Sequence, residues 1–333
     1  MTSIKDIAKL AGMSPSTVSR VLNNRTYVKP AIREKILALV QQMGYVPNHA
    51  ARSMVLNRSF TVGVIVPDTF NMFQRELFST IEHDVEELGL HTHFFFVKSE
   101  ADSELQCVRR LKSEKLDGII VMMELGEAAF FEYLENLGIP VVLFGTFLQP
   151  NLPFSSFLID EEEAGFDATQ YLLGLGHTRI GIVYGGGTNF GKLRLAGFRK
   201  ALLKAGIEWD EGAVENVPNF TSEAGRDAAL ALFERRLDLT ALFAVTDDLA
   251  IGAMRGLFER GLKVPADVSV IGFDDLDISR YLAPGLTTIH QPVTEIGKKI
   301  VKVLQQLISG EADGNNRFIF SHRLVERESC RRL

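Results

Sequence analysis

Apolar residues recur along this chain at two different periods, and the change of period divides it. In the first 43 residues the spacing is i, i+3, i+4. Ile4, Ile7 and Ala8 form one stripe, Val18, Val21 and Leu22 a second, and Ile32, Ile36, Leu39 and Val40 a third. Such spacing puts apolar side chains on one face of a helix, so three short helices are predicted, each too small to fold without the others. The first two are joined through Gly12. The second opens with Ser14-Pro15, an N-cap followed by a residue whose backbone angle is preset for the first helical position. The third is predicted over Ala31–Met43, with Pro30 suiting its first turn and Gly44 its C-cap; Tyr45-Val46-Pro47 then leads out as extended chain. Ser16, Thr17, Ser19 and Arg20 lie off the apolar stripe of the second helix. Small hydrogen-bonding side chains in a first turn, with an arginine one turn later, suit the major groove of DNA.

Residues 48–57, NHAARSMVLN, permit a helix but are too few to hold one alone, which is the property of a segment that folds only when docked. From Phe60 onward the helical period is interrupted by short, near-continuous apolar runs: residues 61–66, 93–97, 117–122, 139–144, 179–184, 241–245, 268–273 and 286–290. Helical stretches are predicted between and after them, near 73–89, 102–114, 126–137, 162–174, 191–205, 222–235, 248–261 and 293–309. Strands apolar on both faces, alternating with helices, imply parallel sheets covered on both sides. Two sheets are expected, because single cores stop growing near about 250–300 residues. The run Val62-Gly63-Val64-Ile65-Val66 is echoed by Ile180-Gly181-Ile182-Val183-Tyr184, as if the two halves repeat. In open parallel sheets ligands bind beyond the C-terminal ends of the strands, so the loops after strands are where chemistry is sought.

Charge changes the picture more than composition does. The 333-residue chain has a net charge of −6, which taken whole opposes nucleic-acid binding. Residues 1–58, however, hold nine Lys/Arg against two acids, a net +7, which leaves −13 on the remainder. A basic head on an acidic body fits a head that faces DNA. Cys107 and Cys330 are the only cysteines, and two thiols so distant in sequence are expected to stay reduced. A basic n-region followed by an apolar run is not seen at the N-terminus, and no apolar stretch is long enough to span a membrane, so a cytoplasmic protein without a membrane partner is expected.

Segments along nearly the whole chain, in order, resemble the LacI/GalR family of bacterial transcriptional repressors: IKDIAKLAGMSPSTVSRVLNN, GYVPNHAARSM, VGVIVPD, DGIIV, IPVVLF, LGHTRIGIVYGG, RLAGFRKAL, AVTDDLAIGAM, DVSVIGFDD, LTTIHQP and SHRLVERES. The resemblance implies an all-α helix-turn-helix DNA-binding head over 1–47, a hinge helix and linker over 48–59, and an effector-binding and dimerisation core over 60–333. That core is similar to periplasmic sugar-binding proteins: an α/β fold of two lobes, lobe 1 about 60–158 and 290–319, lobe 2 about 159–289 and 320–333, with crossovers near 158–160, 288–291 and 319–322. A homodimer on double-stranded operator DNA is implied, with a small sugar-like effector between the lobes of each protomer. By match to the motif, Pro15, Ser16 and Arg20 take the base-reading positions, Arg20 as a guanine reader or a phosphate contact, and Ser14, Thr17 and Ser19 bind phosphates. Met54 stands where the family carries a leucine that wedges between base pairs in the minor groove, and Arg52 touches the backbone. For the effector, the resemblance assigns Asp274 and Arg194 as polar clamps, Phe220 and Phe73 as aromatic faces, and Thr246 in place of a frequent asparagine. For Arg194 an inter-helix ion pair is the alternative, and for any phenylalanine taken alone, core packing is. Gly145 and Met122 replace polar side chains, so lobe 1 is less polar than in a typical sugar reader, with Asp68, Gln74 and Glu124 able to compensate.

Other motifs carry less. Gly185-Gly186-Gly187 has neither G-x-x-x-x-G-K-[ST] nor G-x-G-x-x-G spacing and reads as a tight strand-to-helix turn. His91 and His93 have no third ligand nearby in sequence, and no metal or other cofactor is expected. Asp160 to Glu163 supplies an N-cap and acids for a first helical turn. Asp274-Asp275 is unaccompanied by an activated nucleophile, so an enzyme is not expected. A solute-binding transport protein would share the two lobes but not the basic head. A ligand-controlled repressor of carbohydrate genes is the expectation, with inducer and corepressor both compatible.

Overall fold

The computed structural model describes residues 3–22, 28–45, 58–68, 71–98, 103–124, 128–145 and 152–333. The chain divides into two compact units, Met1–Ser59 and Phe60–Leu333.

Among the described residues, the first unit has three helices: α1 (Ile4–Ala11), α2 (Pro15–Leu22) and α3 (Pro30–Gln42). Ser3 caps α1 in a reciprocal capping box with Asp6, and Gly12 closes it in the left-handed conformation (φ +70°), which sets the turn into α2. The Ser14 hydroxyl accepts from the Thr17 N–H at 3.2 Å, the predicted N-cap. Ile7, Ala8, Ala11, Val18, Val21 and Ile36 are buried together, so the three apolar stripes make one small core. The hinge segment 48–57, with Arg52 and Met54, lies outside the described residues.

The second unit carries two six-stranded sheets of matching topology. Its strands are β1 (Thr61–Pro67), β2 (His91–Val97), β3 (Gly118–Val121), β4 (Val141–Phe144), β5 (Ser155–Ile159), β6 (Ile180–Tyr184), β7 (Val214–Asn216), β8 (Ala241–Ala244), β9 (Ser269–Asp274), β10 (Thr287–His290), β11 (Arg317–Phe320) and β12 (Arg323–Val325). The first sheet runs β11-β5-β4-β3-β1-β2 and the second β12-β10-β9-β8-β6-β7. The echo between β1 and β6 is therefore a structural repeat: each sits between the second and third strands of its half. Pairing is parallel except between β10 and β12. The connecting helices are α4 (Met72–Glu87), α5 (Ser103–Ser113), α6 (Ala128–Glu135), α7 (Glu161–Gly174), α8 (Asn189–Lys204), α9 (Ser222–Arg235), α10 (Asp247–Glu259) and α11 (Val293–Ser309). The chain passes between sheets three times, after Ile159, after His290 and after Phe320.

All eight sequence-predicted strands of this unit are present; most are apolar runs buried on both faces, while β2, at a sheet edge, leaves His91 and Phe96 exposed. Four further strands are present that the apolar pattern missed. β5 begins with two serines, β7 and β12 have three residues, and β11 alternates exposed and half-buried positions at a sheet edge. Helices α7 and α8 approach until their backbones touch. A Cβ on Gly165 would lie 2.5 Å from the Arg194 carbonyl oxygen, and one on Gly197 would lie 2.0 Å from the Glu162 carbonyl oxygen. Neither Cys107 nor Cys330 is in a disulfide. Among the described residues no helix is long and apolar enough to cross a membrane.

Candidate functional site

On α2 the division between core and surface is clean. Val18 and Val21 are buried, while Pro15, Ser16 and Arg20 are exposed on the far side. The Ser14 hydroxyl bonds the hydroxyls of Ser16 (2.7 Å) and Thr17 (2.9 Å), which makes a small polar cluster at the helix start. Exposed N-terminal residues with an arginine one turn later are what a groove-reading helix must present.

In the second unit, β1 and β3 flank one topological switch point and β6 and β8 the other, where strand order reverses and the strand ends open a crevice. The loops leaving these ends carry a connected set of charged side chains. Arg194, on the second turn of α8, is 3% exposed. Its Nε donates to Glu161 Oε2 at 2.7 Å and its Nη1 to the Val245 carbonyl at 2.5 Å, just past β8. Nη1 also lies 3.8 Å from Asp274 Oδ1. The guanidinium rests 3.4 Å from the Phe273 ring centre and 4.8 Å from that of Phe190, so the cation has two aromatic neighbours.

Asp274 closes β9 with φ +117°, and Asp275 follows at φ +58°. Such angles cost a non-glycine residue about 1–3 kcal/mol and hold only where surroundings fix them. Here they do. Gln291 Nε2 donates to Asp274 Oδ1 at 2.7 Å, while His290 Nδ1 (2.9 Å) and Arg327 Nη2 (2.5 Å) bond Asp275. Burial pushes the Asp274 carboxyl well above the usual carboxylate range, with Arg194 pulling it part of the way back. Behind it, Asp247 accepts from Ser279, Thr288 and the Leu276 N–H, and burial raises its carboxyl to about 7.

Lobe 1 meets this cluster through hydrogen bonds that cross between the sheets. Glu124, beyond the end of β3, accepts from the backbone N–H groups of Asn189 (2.5 Å) and Phe190 (3.0 Å) in the first turn of α8. In the opposite direction, Asp248 of lobe 2 accepts from the Met72 N–H at 3.3 Å, in the first turn of α4. Glu76 of α4 accepts from the Asp277 N–H at 3.3 Å. Burial is the main cause of a raised carboxyl pKa in all three acids, and it brings Glu124 to about 7.

The residues predicted from the sequence separate under this geometry. Arg194 and Asp274 are brought together. Phe220 packs against Phe190 beside them, ring centres 4.9 Å apart and tilted by 36°. Phe73 is 7% exposed, sits at the start of α4 and packs 6.1 Å from Phe144, on the lobe 1 side. Thr246 lies at the strand end, just after β8. Its hydroxyl accepts from the Leu249 N–H at 3.3 Å and caps α10, because a helix beginning directly after a strand needs an acceptor there. The inter-helix ion pair weighed for Arg194 is also present, with Glu161. Sequence reasoning took Glu161 as a first-turn acid only and did not single out Gln291, Phe190 or Asp248. The pairing of β9 with β10 carries Gln291 to Asp274, a register that no local pattern encodes.

Residues 3–48 match the model "Bacterial regulatory proteins, lacI family", and residues 169–330 match "Periplasmic binding protein-like domain". The HTH-type transcriptional regulator DegA of Bacillus subtilis is 34% identical over 332 residues, covering 98% of each chain. A solved transcriptional regulator CelR–cellobiose complex aligns at 30% identity and TM-score 0.75, over 99% of this chain and 100% of that one. The Lac repressor dimer bound to operator and the anti-inducer ONPF aligns at 27% identity and TM-score 0.85, over 99% of both.

Proposed function

The chain belongs to the lacI family of bacterial regulatory proteins and is a DNA-binding transcriptional regulator, and we propose that it is a cytoplasmic, homodimeric repressor of carbohydrate genes governed by a sugar-like effector. The effector site in this reading is the crevice edged by Arg194, Asp274 and Gln291 from lobe 2, with Phe190 and Phe220 as apolar faces and Phe73 on lobe 1. One observation carries it: a buried guanidinium–carboxylate–amide set beside aromatic rings, at the strand ends where two lobes are joined by hydrogen bonds. Sugars present hydroxyl edges and apolar faces, which is the chemistry these groups recognise.

At the other end, Ser16 and Arg20 read bases, and Ser14, Thr17 and Ser19 contact phosphates. Arg52 and Met54 act in the hinge. An effector alters operator affinity only through its different affinities for the two states of the core, a coupling of about 1–3 kcal/mol in typical cases. The test is a gel-shift with the promoter region of the chain's own operon, with and without mono- and disaccharides. Retardation that changes with one sugar supports the reading. Indifference to every duplex, with and without sugars, overturns it.

A further inference from the structure

We propose that Glu124 is a clasp between the lobes: by holding the start of α8 from lobe 1 it sets how firmly the lobes are joined, and through that the operator affinity of the chain, with or without an effector. This goes beyond the effector-site reading above and does not depend on what the effector is.

The first N–H groups of a helix have no preceding carbonyl of that helix to bond. At the start of α8 the Thr188 hydroxyl accepts from the Gly191 N–H and the Thr188 carbonyl from the Lys192 N–H, both at 3.2 Å. The N–H groups of Asn189 and Phe190 donate instead to Glu124, one to each carboxyl oxygen, at 2.5 and 3.0 Å. A cap supplied from within one lobe would add to the stability of that lobe and do no more. This one comes from beyond the end of β3, in the facing lobe, so its two bonds are kept only while the lobes are joined. Their free energy is added to the joined state alone, which is what shifts an equilibrium between two states.

Two more bonds cross the cleft, from the Met72 N–H to Asp248 and from the Asp277 N–H to Glu76. Each is single and 3.3 Å long, so Glu124 carries the larger share of this joining. What it grips is not a loose loop. The ring of Phe190 lies 4.8 Å from the Arg194 guanidinium and 4.9 Å from the Phe220 ring, and α8 meets α7 backbone to backbone at Gly197. A hold on the first turn of α8 is therefore a hold on the charged cluster of lobe 2.

The test is hydrogen-exchange mass spectrometry of the full chain, on overlapping fragments that cover 189–190, 72 and 277, for wild type, Glu124→Ala and Glu124→Gln. Burial raises the Glu124 carboxyl to about 7, so joined lobes favour its protonated form and the comparison is made at pH 6. A gel-shift without sugar follows, on the promoter region named above. In Glu124→Ala, exchange at Asn189 and Phe190 is expected to quicken about tenfold or more. Met72 and Asp277 are expected to quicken with them, although Glu124 bonds neither. Operator affinity is expected to change at least about fivefold, the lower end of ordinary coupling between sites. Glu124→Gln keeps one acceptor oxygen and is expected to fall between the two. Quickening confined to 189–190 makes Glu124 a local helix cap and overturns the inference. Lobes that part with operator affinity unchanged overturn its regulatory half. If fragments over β6 and β8 report that Glu124→Ala is unfolded, Glu124→Gln decides by the same criteria. If wild type retards no duplex, the DNA-binding reading of the previous subsection has failed, and the exchange at Met72 and Asp277 still supports or overturns the clasp.

Discussion

Arg194→Met tests whether the charged cluster at the strand ends is held together as described. The change keeps most of the unbranched stem and deletes the guanidinium. It leaves Glu161 and Asp274, with side chains 9% and 4% exposed, inside the lobe without their cation, and it leaves the Val245 carbonyl without its donor. Removing one partner of a buried ion pair costs about 3–5 kcal/mol, most of it from the uncompensated charge that stays behind. That is a large fraction of the stability of an ordinary domain. The cost depends on pH, and its sign follows from Asp274. Its native pKa is raised above the unfolded value, so its contribution to stability is fully present below the ordinary carboxylate pKa of about 4 and is lost as pH rises through the native value. Without Arg194 that native value rises further. The variant is therefore expected to be less stable than wild type by about 3–5 kcal/mol at a pH above the native Asp274 value and by less at a pH below it. Adding Glu161→Gln should restore part of the loss, because one of the stranded charges is gone. Urea unfolding of the full chain, followed by circular dichroism at both pH values, measures all three quantities. A single variant within about 1 kcal/mol of wild type, or an equal loss at both pH values, refutes this account of the cluster.

Three further outcomes are expected. If Glu124 returns to an ordinary value of 4.5 when the lobes part and reaches about 7 when they meet, closure is favoured as pH falls through 7, and a ligand held by the closed cleft gains up to about tenfold in affinity from about pH 8 to about pH 6; Glu124→Gln should flatten that slope, and an unaltered slope assigns the linkage elsewhere. Arg20→Ala should lose about 1–3 kcal/mol of discrimination at one operator base pair, read on a panel of base-substituted duplexes, and equal weakening on every duplex makes Arg20 a phosphate contact instead. Asp274→Ala should abolish the effector response in a gel-shift while operator binding persists, and a normal response displaces the site from β9.

Much of the architecture was legible because burial on both faces leaves a mark that needs no partner to be read. β1 and β9 are apolar runs bounded by turns, and both appear where the pattern puts them. β11 and β12 were not legible, since an edge strand is half-solvated and three or four residues give no period. The site was legible in part. Arg194 and Asp274 were chosen through family motifs, and the fold sets them side by side. Glu161 was not, because an acid in a helix's first turn looks the same in sequence whether it faces water or a buried guanidinium. Gln291 and the Glu124 and Asp248 bridges depend on strand register and on lobes meeting, which are long-range facts. Thr246 has a local role that its place in a family motif did not reveal: its hydroxyl caps the helix that follows β8.

The backbone contact at Gly165 and Gly197 has a pharmacological consequence. It welds the element bearing Glu161 to the one bearing Phe190 and Arg194, so this side of the crevice behaves as a fixed jaw. Any signal must then come from the other jaw moving. If the proposed effector site is correct, a molecule that satisfies only Arg194, Asp274 and Gln291 is expected to bind without signalling and to compete with those that also engage Phe73.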